Sequence, residues 1–169
     1  MRMIPDLVRS GSIISDDQDK SNLFGDILEK VYNPSEIYDE SFKSDICSQV
    51  SNFLSSPQDS SFQSFSDIEL SKVISDLKFS AAGDDGINNL MIKHSSPSFK
   101  SLLLTLFNNI VLTGSIPDPW KFSLINMIPK KLGFSSDPNE YRPISLTSCL
   151  SKVFEKLVFN RIYDFLEKK

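Results

Sequence analysis

Glycine, cysteine and histidine are all scarce in this chain. Six glycines among 169 residues cannot furnish the turns of a many-stranded β-sandwich, so helices are the expected majority. The two cysteines, Cys47 and Cys149, have no metal-ligand spacing. They exclude a disulfide framework and make a reducing, intracellular compartment the expectation. Cys149, beside Ser148, reads as a small packed residue rather than a nucleophile. The single histidine, His94, rules out a His-based triad or zinc site and is expected on the surface near a helix end. No apolar run approaches the roughly 20 residues of a membrane span. The longest, at 102–110, is broken by Thr105, Asn108 and Asn109. Residues 1–15 contain no apolar core of signal-peptide length.

What the chain does have is phenylalanine, 13 residues, which suits helices with aromatic-rich faces. Hydrophobic residues at 40% are enough for the core of one modest domain or part of a larger one. A net charge of −4 argues against a free-standing, non-specific nucleic-acid binder. That sum conceals an asymmetry. Residues 1–85 carry 7 basic and 16 acidic side chains (−9), whereas residues 86–169 carry 11 and 6 (+5). A phosphate-facing surface therefore belongs in the second half, although drifting solvated charge gives the same pattern.

Periodicity orders the chain. Asp16, Asp17 and Asp19 precede an apolar stripe at Leu23, Phe24, Ile27, Leu28 and Val31, the spacing of a helix with acids at its positive end. Asn33-Pro34 ends it. A weaker helix is expected over 36–54. Residues 55–66 read as a linker, dividing a helical segment, 1–64, from a domain over 65–169. Ser66-Asp67-Ile68-Glu69 is a capping box ahead of Leu70, Val73, Ile74 and Leu77. A turn at residues 82–86 follows, then a short helix over 88–93 and a firm one over 99–113 that Gly114 can cap. Ile116-Pro117-Asp118-Pro119-Trp120 is a rigid connector, with Trp120 read as core packing beneath a hairpin. The hairpin's strands are expected over 122–128 and 141–146. The last helix, 148–167, has a long apolar face through Leu150, Val153, Phe154, Leu157, Val158, Ile162, Phe165 and Leu166.

The hairpin can present several cations to one place. Lys130 and Lys131 open its loop and Arg142 lies on the returning strand. Arg offers a planar fork for bidentate phosphate contact, and Lys a point charge. A Lys-Lys pair in a loop is also ordinary solvated surface. The wider string is more specific. Gly83, Asp85, Gly86 and Ile87 lie in an opening motif that resembles that of the reverse transcriptases of LINE-type (non-LTR) retrotransposons. In that family's order follow Gly114-Ser115-Ile116-Pro117, Trp120-Lys121, Ile128-Pro129-Lys130-Lys131, Asn139-Glu140-Tyr141-Arg142-Pro143-Ile144-Ser145-Leu146 and a helix with Lys152, Glu155 and Arg161. The resemblance covers about residues 65–169. Gly11-Ser12-Ile13-Ile14 is similar, more loosely, to the segment joining endonuclease and polymerase in such elements.

The resemblance implies an α+β fold, mostly helical with one short hairpin: the fingers portion of a right-hand polymerase. It implies RNA-directed DNA synthesis from dNTPs on an RNA template and DNA primer. Lys130 and Arg142 would contact the dNTP phosphates, with Asp85, Gly86 and Lys131 on the template and primer side. In the family, Mg²⁺ is held by palm carboxylates in F-x-x-x-D and A/Y-x-D-D segments beyond the last helix seen here. Asp84-Asp85 sits in the opening turn and is not read as metal-binding. Residues 1–169 are thus expected to lack the catalytic aspartates and the palm, and to be inactive by themselves. A nucleic-acid-binding module without catalysis and a purely structural remnant remain alternatives. In the latter, the last helix would expose an apolar face with Phe154 and Phe165.

Overall fold

The computed structural model describes residues 4–33, 39–55 and 63–167. The start of the second expected helix and most of the expected linker lie outside them. The chain divides into two compact units. One comprises Met1–Ser60 and Met127–Arg142, the other Ser61–Asn126 and Pro143–Lys169.

The first unit opens with a hairpin that composition did not suggest. β1 (Leu7–Arg9) pairs antiparallel with β2 (Ser12–Ile14), Leu7 opposite Ile14. The two-residue connection has positive φ at both Ser10 (52°) and Gly11 (82°), the turn whose twist matches paired strands. The fold thus has two short hairpins rather than one. The signal was present: a Ser-Gly pair between two short apolar runs. α1 (Asp17–Tyr32) starts where the acids predict, because the Asp16 side chain accepts from the Gln18 and Asp19 amides. Leu7, Leu23, Phe24 and Tyr141 are buried together, with Ile4, Ile14, Ile27 and Met127 packed against them. Lys20 is also buried. Its Nζ donates to the Ile4 carbonyl (3.0 Å) and pairs with Asp17 (3.5 Å) and Asp6 (3.7 Å), so its charge is compensated. α2 (Glu40–Ser55) exposes Phe42, Ile46, Val50 and Phe53.

The second unit carries the larger core. α3 (Asp67–Ser75) begins with the full capping box: Ser66 accepts from the Glu69 amide and Glu69 accepts from the Ser66 amide. α4 (Asn89–Lys93) is capped by Asn88, and His94 lies exposed at its end. α5 (Pro97–Thr113) has Ser96 as N-cap, Pro97 in its first turn, and Gly114 at φ 66° accepting the left-handed stop. A 3₁₀ turn (Asp118–Lys121) leads to β3 (Leu124–Pro129), which starts two residues later than expected. β4 (Tyr141–Leu146) pairs with β3, and α6 (Cys149–Glu167) follows. The unit's core joins α3, α4, α5 and α6 through Leu70, Val73, Ile92, Phe107, Val153 and Leu157, with Cys149 fully buried beside them. Phe154 is packed here against Phe65, Phe107 and Trp120, at centroid distances of 6.3, 5.6 and 6.2 Å. The expectation of an exposed Phe154 is therefore corrected. The aromatic ring of the Pro-rich connector, Trp120, shields it, while Phe165 at the far end of α6 is exposed. Among the described residues no helix is long and apolar enough to cross a membrane.

Candidate functional site

The hairpin loop is shaped by its own short-range bonds. The Lys130 amide donates to the Glu140 carbonyl at 2.8 Å, extending the strand pair one step into the loop. Across that step the Lys130 Nζ donates to the Asn139 carbonyl at 2.6 Å. Asp137 accepts from both the amide (2.9 Å) and the side chain (3.0 Å) of Asn139, forming the 3₁₀ turn Pro138–Glu140. The Lys131 ammonium lies 3.2 Å from the Glu140 carboxylate, with its side chain 82% exposed.

Strand alternation decides which way the cations face. Met127 and Tyr141 turn into the first unit's core. Successive strand side chains point to opposite sides, so Lys130, three positions after Met127, and Arg142, next to Tyr141, fall on the other face. Both are exposed, and Arg142 has no side-chain hydrogen bond or ion pair to the other described residues. Lys131 instead lines an open hollow of about 390 Å³ with Leu132, Gly133, Phe134, Ser135 and Glu140. Neither Lys130 nor Arg142 lines it.

Asp85 and Gly86 belong to the second unit, where the opening motif has a clear structural chemistry. The Gly86 amide donates to the Gly83 carbonyl (3.2 Å) to close the turn, and Gly86 takes φ 67°. One Asp85 oxygen accepts from the Ile87 amide (3.0 Å) and the other from the Ser148 hydroxyl (2.6 Å). Ser148 in turn accepts from the Leu150 amide (3.2 Å), capping the start of α6. Gly83 lies against this joint so closely that a Cβ there would meet the Ser148 amide nitrogen at 2.8 Å. The motif thus latches a turn to a helix 63 residues away. Both Asp85 oxygens are engaged in this latch, and the described residues contain no group of three or more His, Cys, Asp or Glu side chains able to hold a metal.

A second anchor fixes the other end of α6. Arg161 forms a fork to both Glu69 oxygens (2.8 and 3.0 Å), donates to the Ser64 carbonyl (2.8 Å) and to the Gln63 carbonyl, and lies 4.3 Å over the Phe65 ring. These bonds hold the Glu69 carboxyl far below its ordinary 4.5, at about 2, despite the opposing desolvation.

The chain is similar to known proteins over much of its length. Over 147 residues, 85% of its length, the chain is 31% identical to the RNA-directed DNA polymerase from mobile element jockey of Drosophila melanogaster. It is 42% identical over 88 residues, 52% of its length, to the probable RNA-directed DNA polymerase from transposon X-element of the same fly. A retrovirus-related Pol polyprotein from type-1 retrotransposable element R1 of Bradysia coprophila matches at 31% over 81 residues, 47% of the chain. The chain is thus a homologue of RNA-directed DNA polymerases of non-LTR mobile elements. It spans 16% of the jockey protein, 10% of the X-element protein and 8% of the R1 polyprotein. No family model matches it.

Against this reverse-transcriptase background, two residues with clear work in the structure were not singled out from the sequence for it. Tyr141 enters the sequence reading as part of a strand and of the Asn139–Leu146 motif string, with no role of its own, yet it is 4% exposed and its hydroxyl donates to the Ser135 carbonyl at 2.7 Å. Ser148 enters it as the start of the last helix and the neighbour of Cys149, not as a partner of Asp85. Period-2 alternation in β4 could have marked Tyr141 as the inward residue. Nothing local marks Ser148 as the partner of Asp85.

Proposed function

We propose that this chain is fingers-type structure of an RNA-directed DNA polymerase, in which Lys130 and Arg142 grip the triphosphate of an incoming dNTP. The observation that carries this reading is the exposed Lys130 and Arg142 on the face of the hairpin opposite the Met127 and Tyr141 side, within a chain related to polymerases of mobile elements. Lys130 uses one donor on the Asn139 carbonyl and has others for phosphate oxygens. Arg142 contributes a fork. Charge-assisted hydrogen bonds of about 1.5–3 kcal/mol each make two contacts worth roughly 3–6 kcal/mol, a dissociation constant on the order of 1 mM. Lys131, Asp85 and Gly86 face the template and primer in this reading, Asp85 through the shape of its loop because its oxygens are already engaged. RNA template and DNA primer are the nucleic-acid partners. In this reading Mg²⁺ is held by palm carboxylates of the whole polymerase rather than by the described residues, which include no group of three or more His, Cys, Asp or Glu side chains able to hold it, and residues 1–169 are expected not to polymerise by themselves. Work on nucleic acid makes the compartment intracellular.

The test is a calorimetric titration of dTTP into the 169-residue chain at low salt, with thymidine as the control lacking phosphates. Lys130→Ala and Arg142→Ala each weaken dTTP binding by about ten- to a hundredfold, the loss of one charge-assisted contact. Variants that bind dTTP as the parent does contradict the grip; incorporation above blank in a primer-extension assay contradicts only the expected inactivity of residues 1–169.

A further inference from the structure

We infer that the segment from Ile4 to Tyr32 is a brace for the cation-bearing hairpin, and that Tyr141 is the positioning residue through which it acts on Lys130 and Arg142. The brace rests on the nucleotide grip proposed above. Its contacts all lie within the first unit. The Val8 amide donates to the Ser136 carbonyl at 2.8 Å, tying β1 to the loop backbone. The Tyr141 hydroxyl donates to the neighbouring Ser135 carbonyl at 2.7 Å. The Tyr141 ring meets Phe24 of α1 edge-on, 5.4 Å between centroids, with Leu7 fully buried in the same cluster. Buried Lys20 sews the entry of the segment onto α1 through the Ile4 carbonyl and the Asp6 and Asp17 carboxylates.

The physical consequence follows from the period of a strand. Side chains alternate, so a slip of one position would turn Tyr141 outward and Arg142 inward. The hairpin joins its strands through an 11-residue loop, from Lys130 to Glu140, which does not fix the register as a two-residue turn would. Seating the Tyr141 ring against Phe24 does fix it. The ring therefore selects the face that Arg142 presents. The two loop-backbone bonds hold Ser135 and Ser136, and with them the loop that runs back to Lys130.

The experiment is a double-mutant cycle on the full 169-residue chain, read as dTTP affinity by calorimetry and as unfolding by circular dichroism. Tyr141→Phe removes only the hydroxyl, and Phe24→Leu loosens only the ring seat, so both are expected to fold. Each weakens dTTP binding about three- to tenfold, the worth of an ordinary hydrogen bond or packing contact. In the Phe24→Leu background, Arg142→Ala then costs less than in the parent, because the two residues act as one unit. A purely structural role lowers the unfolding midpoint but leaves the two effects on dTTP additive, and that result overturns the brace. Binding that depends on Lys130 and Arg142 yet ignores Phe24 and Tyr141 overturns the brace alone. Absence of any dTTP binding by the parent overturns the brace and the nucleotide grip together.

Discussion

Replacing Gly83 by alanine is a sharp test of the latch between the opening motif and α6. The added Cβ would lie 2.8 Å from the Ser148 nitrogen, 2.8 Å from the Thr147 carbonyl carbon and 2.9 Å from its oxygen. All three are backbone atoms, so no side-chain rotation relieves them. The joint itself must move, and it is the joint at which Ser148 caps α6 and Cys149 enters the core. Overpacking of this kind costs about 1–3 kcal/mol. The lower unfolded-state entropy of alanine returns about 0.4–1 kcal/mol, leaving a net loss of roughly 1–2 kcal/mol. With a urea slope of about 1–2 kcal/mol per molar, the midpoint falls by on the order of 1 M. Trp120 is the only tryptophan and packs on Phe107 and Phe154, so its fluorescence follows the unit concerned. Gly25 in α1 is the control: nothing lies within 4 Å of its Cβ position. Gly25→Ala is expected to stabilise by about 0.5–1 kcal/mol, measured by circular dichroism. A Gly83→Ala midpoint at or above the parent's would refute the latch.

Three further outcomes follow from the same geometry. Ser148→Ala leaves an Asp85 oxygen and the Leu150 amide without their partner and should cost about 1–3 kcal/mol in urea melts; Ser148→Thr, which keeps the hydroxyl, should recover part of it. The folded-state value of Glu69 lies below its unfolded value, so its contribution to stability is complete above about pH 4.5 and is lost as pH falls toward about 2. Its 38% exposure lets solvent screen that contribution, and acid melts should lose the component in Glu69→Gln. Phe107→Ala empties a fully buried site that touches Trp120 and Phe154, for an expected loss of about 3–5 kcal/mol and a red-shifted Trp120 emission.

Elements governed by neighbours in sequence were legible. The capping box at Ser66 and Glu69, the Gly114 stop and the return strand at Tyr141–Leu146 depend on residues within four positions of each other, and they stand where the pattern put them. The polymerase relationship was legible for another reason: an ordered string of motifs is harder to reach by chance than any one of them. Contacts across long separations were not legible. The Asp85–Ser148 bond spans 63 residues and the Arg161–Glu69 fork 92, and no periodicity encodes either. The packing of Tyr141 on Phe24 was hidden likewise, because α1 read as an amphipathic helix says nothing about what covers it. Phe154 was misjudged because a long apolar face on α6 looked uniform, whereas Trp120 and Phe107 cover only its first half. At the site, the sequence named the cations but not their engagement: Lys131 is paired with Glu140 while Arg142 stands free of the other described residues.

The most direct test of the central claim is photo-crosslinking of an azido-substituted dNTP to the 169-residue chain, with the attachment point read by peptide mass spectrometry. Label is expected on the peptide containing residues 130–142, displaced by excess dTTP and lost in the Lys130→Ala, Arg142→Ala double variant. Label confined to other peptides, or undiminished in that variant, would contradict the claim.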